Sequence, residues 1–338
     1  MLIADKYRIS ITSGQEDHSS LKDFEGGVVL SASWEIRSQD LASQLNFQKV
    51  EKVLLLVYKN KGKSGISGNI RNKIKSDAKK HGVTLEELEI DSVATDFASH
   101  SDLVANMAAT MSAGPLRWAI DISSMPRRVW TALIFLLDKL DRVRFLDFFY
   151  SHPKYLLSED QYKKVFYKYT GGEWTLSDVP FAQINFNNGL LRRNIISVGF
   201  EYDNLKRIIY EHEEDQNSII YASPGFTQHY TDIADQTADR IRKTFEIDEG
   251  DVNAVGVCDF SSAYSTARKI VLDSAKAGYD VNIICAGNKL HSLAMTYVKV
   301  AEPLSNFLVR VPKSYRENST PSLGKFDLIS TENILAPY

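Results

Sequence analysis

The residues best suited to chemistry fall in two loops, each lying after an apolar run and before an amphipathic segment. One reads Asp121-Ile122-Ser123-Ser124-Met125-Pro126-Arg127-Arg128 and the other Ala286-Gly287-Asn288-Lys289-Leu290-His291. Each places cations, Arg127 and Arg128 or Lys289, at the first turn of a helix whose amino end already carries partial positive charge. That placement opposes the helix dipole. An anionic ligand, held by backbone N–H groups and the cation together, resolves the conflict. The competing structural reading makes Ser123 or Ser124 a helix cap and leaves the arginines solvated, at a cost of only about 0.3–1 kcal/mol.

A second pair of loops follows the strand that opens each half: Ser31-Ala32-Ser33-Trp34 and Gly199-Phe200-Glu201-Tyr202. Ser33 and Gly199 are candidate ligand contacts of these loops. Trp34, Phe200 and Tyr202 offer aromatic faces on which a nucleobase can stack, with core packing as the alternative use of each. His291, beside Lys289, could stack on a base or donate to a phosphate, against a plain surface role. The basic stretch Lys59 to Gly68 resembles a P-loop, but the glycine required five residues before Gly62 is Val57. Lys61 and Lys63 therefore count as secondary phosphate contacts rather than hydrolytic machinery. Asp121 ends an apolar run as a metal-directed aspartate would, or as an ordinary strand cap. No GxSxG, HExxH or CxxC pattern occurs, and the reading calls for no cofactor and no metal.

These loops are hung on a repeated pattern. From residue 28 the order is strand Val28–Ala32, helix Ile36–Leu45, strand Lys52–Tyr58, and a helix stopping at Lys79–Gly82. A weaker strand Leu85–Val93, helix Ser101–Met111, strand Leu116–Ile122, helix Val129–Leu140 and strand Val143–Tyr150 complete it. After residue 194 the same order returns, ending in strand Val281–Cys285, helix Leu290–Ala301 and strand Asn306–Val311. Asp96-Phe97 falls in step with Asp259-Phe260, and Pro153-Lys154 with Pro312-Lys313. Short apolar runs alternating with helices specify a parallel sheet covered on both faces. The expected fold is α/β: two tandem Rossmann-like units, doubly wound and mainly parallel with five strands each, related by internal duplication. The expected boundaries are an N-terminal appendage (1–27), unit 1 (28–157), a linker with a β-hairpin (158–194), unit 2 (195–316) and a C-terminal tail (317–338).

Composition agrees with two globular domains: 338 residues, 43% hydrophobic and 25% charged, with a formal charge of −3. That charge gives no global field for coating DNA non-specifically. No apolar run is long enough to span a bilayer and no export signal is legible, so the expected location is the cytoplasm, with no membrane partner. Cys258 and Cys285 sit in the apolar runs Ala254–Cys258 and Val281–Cys285, and are expected to be buried and reduced on neighbouring strands.

On Ser197-Val198-Gly199-Phe200 and Ala286-Gly287-Asn288-Lys289 the chain resembles the CARF and SAVED sensor domains of prokaryotic antiviral systems. The resemblance implies Rossmann-like units used in pairs, a SAVED domain being itself a fusion of two CARF-like halves. It implies a ligand groove between halves, and a glycine-containing loop ending in lysine that helps bind a cyclic or linear oligonucleotide. The first copy departs from the pattern, since Asp121 to Arg128 holds a proline and no glycine; any site would then be asymmetric. The function so implied is non-catalytic sensing of a nucleotide or short oligonucleotide second messenger, signalling to a separate effector chain. Two other readings compete: a phosphoester-cleaving or nucleotide-processing enzyme using Asp121, Arg127 and Lys289, and a structural scaffold subunit.

Overall fold

The computed structural model describes residues 2–4, 6–15, 19–59, 65–90, 97–154, 170–182, 191–211, 215–315 and 321–336. The chain divides into two compact units, one of Met1–Leu156 with Glu317–Tyr338 and one of Leu157–Arg316.

In unit 1, strands β1 (Leu2–Ala4) and β2 (Tyr7–Gln15) precede a short helix α1 (Ser19–Lys22) and strand β3 (Gly26–Ala32). A single-turn helix (Ile36–Gln39) and α2 (Asp40–Gln44) lead to β4 (Val50–Tyr58), and α3 (Gly65–Lys80) to β5 (Thr84–Ile90). Then come α4 (Phe97–Ser112), β6 (Arg117–Asp121), α5 (Arg127–Leu140) and β7 (Phe145–Pro153). Strands β5-β4-β3-β6-β7 are hydrogen-bonded in that order and all parallel. In order of occurrence this is 3-2-1-4-5, the Rossmann arrangement. Val28, Leu30, Val53 and Leu55 meet Ile70, Ile74 and Ala78 of α3 in one cluster. The alternate residues Val29, Leu54 and Leu56 are equally buried, which is why these strands read as continuous apolar runs. Gly27 has a packing reason: a Cβ there would stand 2.5 Å from the Trp118 ring, whose side chain fills the space beside β3.

Unit 2 repeats the arrangement. Strand β8 (Thr170–Asp178) is followed by β9 (Arg192–Val198), α6 (Tyr202–Tyr210), β10 (Gln216–Ala222), α7 (Gln228–Thr244) and β11 (Val252–Val255). Helix α8 (Phe260–Lys276), β12 (Asp280–Cys285), α9 (Lys289–Ala301) and β13 (Asn306–Tyr315) complete it. Strands β11-β10-β9-β12-β13 are parallel, again 3-2-1-4-5. Ile196, Val198, Ile219 and Ile284 pack under Leu205, Ile208 and Ile241 of α6 and α7. Helices α4 and α8 begin at Phe97 and Phe260, and Pro153 and Pro312 lie in the fifth strands, so these two pairs hold corresponding places; Asp96 lies outside the described residues.

The expected outer segments need correction. Strand β14 (Ser322–Asn333) returns to unit 1 and pairs antiparallel with both β2 and β7, giving an eight-stranded sheet β1-β2-β14-β7-β6-β3-β4-β5. Neither terminal segment is an appendage. Likewise β8, from the expected linker, adds antiparallel to β13 and makes a six-stranded sheet; Tyr167, Lys168 and Tyr169 lie outside the described residues. In both units the fifth parallel strand would otherwise be a long apolar edge, and these additions cover it. The cysteine expectation fails for Cys258. Strand β11 ends at Val255, Gly256 turns the chain, and Cys258 lies part-exposed before α8, whereas Cys285 is buried on β12. Strands β11 and β12 are separated by β10 and β9.

Candidate functional site

In a 3-2-1-4-5 sheet the connections after strands 1 and 4 diverge to opposite faces, and the crevice between them is where such folds bind ligands. Here those strands are β3 and β6 in unit 1, and β9 and β12 in unit 2.

At the unit 1 switch point the two loops are tied by serines. Ser31 Oγ lies 2.6 Å from Ser124 Oγ, and Tyr58 donates its hydroxyl to the Ser124 carbonyl at 2.9 Å. Ser123 Oγ accepts from Ser151 N of β7, and Ser123 N donates to Asp121 Oδ1. Ser33 Oγ accepts from Glu35 N, and Trp34 sets its ring edge-on to Tyr58, centroids 5.2 Å apart. Ser33, Ser123 and Asp121 are wholly buried, so they shape the loops rather than present themselves to a ligand. Asp121 in particular holds its own loop, as a strand-end aspartate commonly does.

Arg127 is the first residue of α5, after the extended Pro126. It acts electrostatically on Tyr150, as does Arg37 from the short helix after β3. Burial pushes the Tyr150 phenol above its ordinary pKa, and the positive charges of Arg37 and Arg127 pull against that shift. Arg37 also donates from Nε to Glu35 Oε2 at 2.5 Å and from Nη1 to the Ser151 carbonyl at 2.9 Å. The Ser151 hydroxyl in turn bonds Asp40 and Ser322. Arg128 is not part of this arrangement. Successive helical residues project about 100° apart, and its guanidinium is buried over the Phe97 ring at 5.4 Å, so the expected pairing with Arg127 is corrected.

At the unit 2 switch point Ser197 holds the position of Ser31, since β3 and β9 are each seven residues long with a serine next to last. Its Oγ accepts from Ala286 N at 3.1 Å and Gly287 N at 3.0 Å. Gly287 lies so close to β9 that a Cβ would stand 2.8 Å from the Val198 carbonyl oxygen. Asn288 caps α9 with Oδ1 on His291 N at 2.7 Å, and Lys289 is the first helical residue, as Arg127 is in α5. Phe200 lies part-exposed, 6.2 Å from the Tyr230 ring, which neighbours His229 at 6.0 Å.

Two expected contacts point elsewhere. His291 is wholly buried with Nε2 3.1 Å from the Gly256 carbonyl, so Nε2 carries the proton and donates. Burial lowers its pKa to about 4, partly offset by the bond to Gly256 and by Asp259; it is neutral at pH 7 and no cation for a phosphate. Tyr202 is buried in the core of unit 2, its hydroxyl on Thr244 Oγ1 at 2.8 Å and the Arg240 guanidinium 3.9 Å from its ring centre. It has no face left for a nucleobase. Lys61 and Lys63 lie outside the described residues.

Sequence reading missed Glu35, Arg37, Tyr150, Glu201 and Arg310. A signal existed: Ser31-Ala32-Ser33-Trp34-Glu35 and Ser197-Val198-Gly199-Phe200-Glu201 share serine, a small third residue, an aromatic and glutamate at the same spacing. The structure sets both at the carboxyl end of the first strand.

By fold the chain is a doubled Rossmann-like α/β protein. No family model and no curated protein matches it. Among solved structures it is similar to a functionally unknown protein from Pseudomonas aeruginosa PAO1, at 11% identity over 87% of this chain and 95% of that one, with a TM-score of 0.24. It is also similar to the cytoplasmic domain of a prokaryotic cation chloride cotransporter, at 12% identity over 86% and 96%, with a TM-score of 0.26. Likenesses of this size carry no argument about function. Among the described residues no helix is long and apolar enough to cross a membrane.

Proposed function

We propose that the chain is a non-catalytic sensor of a phosphate-bearing nucleotide or short oligonucleotide, signalling to a separate effector protein in the manner of prokaryotic antiviral systems and acting in the cytoplasm. The observation that carries the reading is the equivalence of Arg127 and Lys289: each is the first residue of the helix after the fourth strand, at a switch point. A helix start favours an anion and so does a cation set there, and both units place a cation at this position. Phe200 and Trp34, part-exposed beside the two loops, are the stacking faces that a nucleobase would use. Asp121, buried and bonded to Ser123 N, gives the phosphoester-cleaving alternative little support.

The test is a thermal shift against a panel of nucleotides and short oligonucleotides, followed by chromatography of the mixture. A ligand at 100 times its Kd stabilises by about 2.7 kcal/mol, a clear rise in melting temperature. An intact ligand after incubation supports a sensor and cleaved products support an enzyme. No shift with any phosphate-bearing compound rejects the site.

A further inference from the structure

The third residue beyond the first strand is a glutamate in both units, and each glutamate engages an arginine with little exposure. In unit 1 Arg37 donates from Nε to Glu35 Oε2 at 2.5 Å, the two side chains being 8% and 21% exposed. In unit 2 Arg310 Nη1 stands 3.3 Å from Glu201 Oε2, at 18% and 6%, with its guanidinium 3.8 Å from the centre of a Trp174 ring. The glutamates correspond; the arginines do not. Arg37 comes from the crossover after β3 and reaches the fifth strand at the Ser151 carbonyl, whereas Arg310 belongs to the fifth strand, β13, and reaches the first loop. Counted back from Pro153 and Pro312, Ser151 and Arg310 hold the same place. Two different positions thus bring a guanidinium between the same two elements, opposite the same glutamate. A packing pair merely copied by duplication would have kept both partners.

Burying a guanidinium with a carboxylate yields little net stability, because desolvation offsets the attraction. The arrangement does keep a planar, permanently charged fork desolvated and pre-set beside the switch point, and phosphate oxygens match that fork at least as well as a carboxylate does. Resting on the reading that the switch points take a phosphate-bearing ligand, we propose that Glu35 and Glu201 are internal stand-ins for that phosphate: each holds its arginine ready, and the ligand takes the arginine from it. The exchange raises the threshold for binding and leaves each carboxylate without its arginine, a local change for an effector to read.

Calorimetric titration with pyrophosphate tests this, each unit being isolated by removing the other's helix-start cation. Glu35→Gln is compared with its parent in a Lys289→Gln background, and Glu201→Gln in an Arg127→Gln background, with circular dichroism confirming the fold. The glutamine variants are expected to bind pyrophosphate roughly tenfold tighter than their parents, the scale of one charged contact no longer competed for. Arg37→Gln and Arg310→Gln are expected to weaken it. Equal or weaker binding by both glutamine variants, while the parents bind, overturns the stand-in role and leaves the switch-point reading intact. If neither parents nor variants bind pyrophosphate, both are overturned.

Discussion

Lys289 and His291 are two residues apart, yet the fold gives them opposite uses. Lys289 opens α9 as its first residue and is part-exposed. Lys289→Ala should therefore weaken a phosphate-bearing ligand by about 1.5–3 kcal/mol, as for a charged hydrogen bond, and leave the melting temperature of the ligand-free protein nearly unchanged. Equal affinities in calorimetry would sink that role. His291 is held neutral by burial, with a pKa of about 4 against 6.5 when unfolded. Above pH 6.5 both states are neutral at this residue and stability does not respond to it. As pH falls from there toward 4, the unfolded chain takes a proton that the folded one refuses, so stability declines, by about 3 kcal/mol in all. Urea unfolding at pH 7 and pH 4.5 should show this loss in the wild type and a smaller one in His291→Gln. An identical pH dependence would mean that the imidazole is hydrated in the native state.

At the scale of elements, each switch point is the meeting of two strand ends, and its tightness depends on very small side chains. Gly287→Ala would put a methyl group 2.8 Å from the Val198 carbonyl oxygen, a backbone atom with no flexible side chain to give way. A loss of about 1–3 kcal/mol is expected, the usual cost of overpacking, measurable as a lower urea midpoint at unchanged slope. A variant as stable as wild type would show that the fourth loop shifts freely, contrary to the Ser197 bonds that pin Ala286 and Gly287. The five-residue pattern from Ser31 and from Ser197 was legible in the chain, but its meaning was not. Ser31 and Ser197 reach the fourth loop across 93 and 89 residues of sequence, and such a contact leaves no local mark.

For the whole molecule, the order of segments matters more than their number. Unit 2 is one continuous stretch with its own core, while unit 1 is completed only when β14 returns between β2 and β7. A fragment of residues 157–316 is expected to unfold cooperatively by circular dichroism and urea. A fragment of residues 1–156 is expected to aggregate or remain unfolded, because β7 presents an open edge and the Asp327 contacts with His152 and Gly14 are gone. Addition of a peptide of residues 317–338 should rescue it. Independent folding of residues 1–156 would show that β14 is dispensable.

The amino-acid sequence by itself determined the doubled α/β class, the five parallel strands of each unit and the position of both fourth-strand loops. All of these rest on local periodicity and on where apolar runs stop. It did not determine that β8 and β14 join the sheets, because an antiparallel strand with a half-polar pattern is weakly marked until its neighbours are known. Nor could it separate Arg127 from Arg128, or Lys289 from His291. Nearby helical positions differ in direction, and whether a direction leads to the Phe97 ring or to the buried Gly256 carbonyl is decided by what the tertiary structure places there.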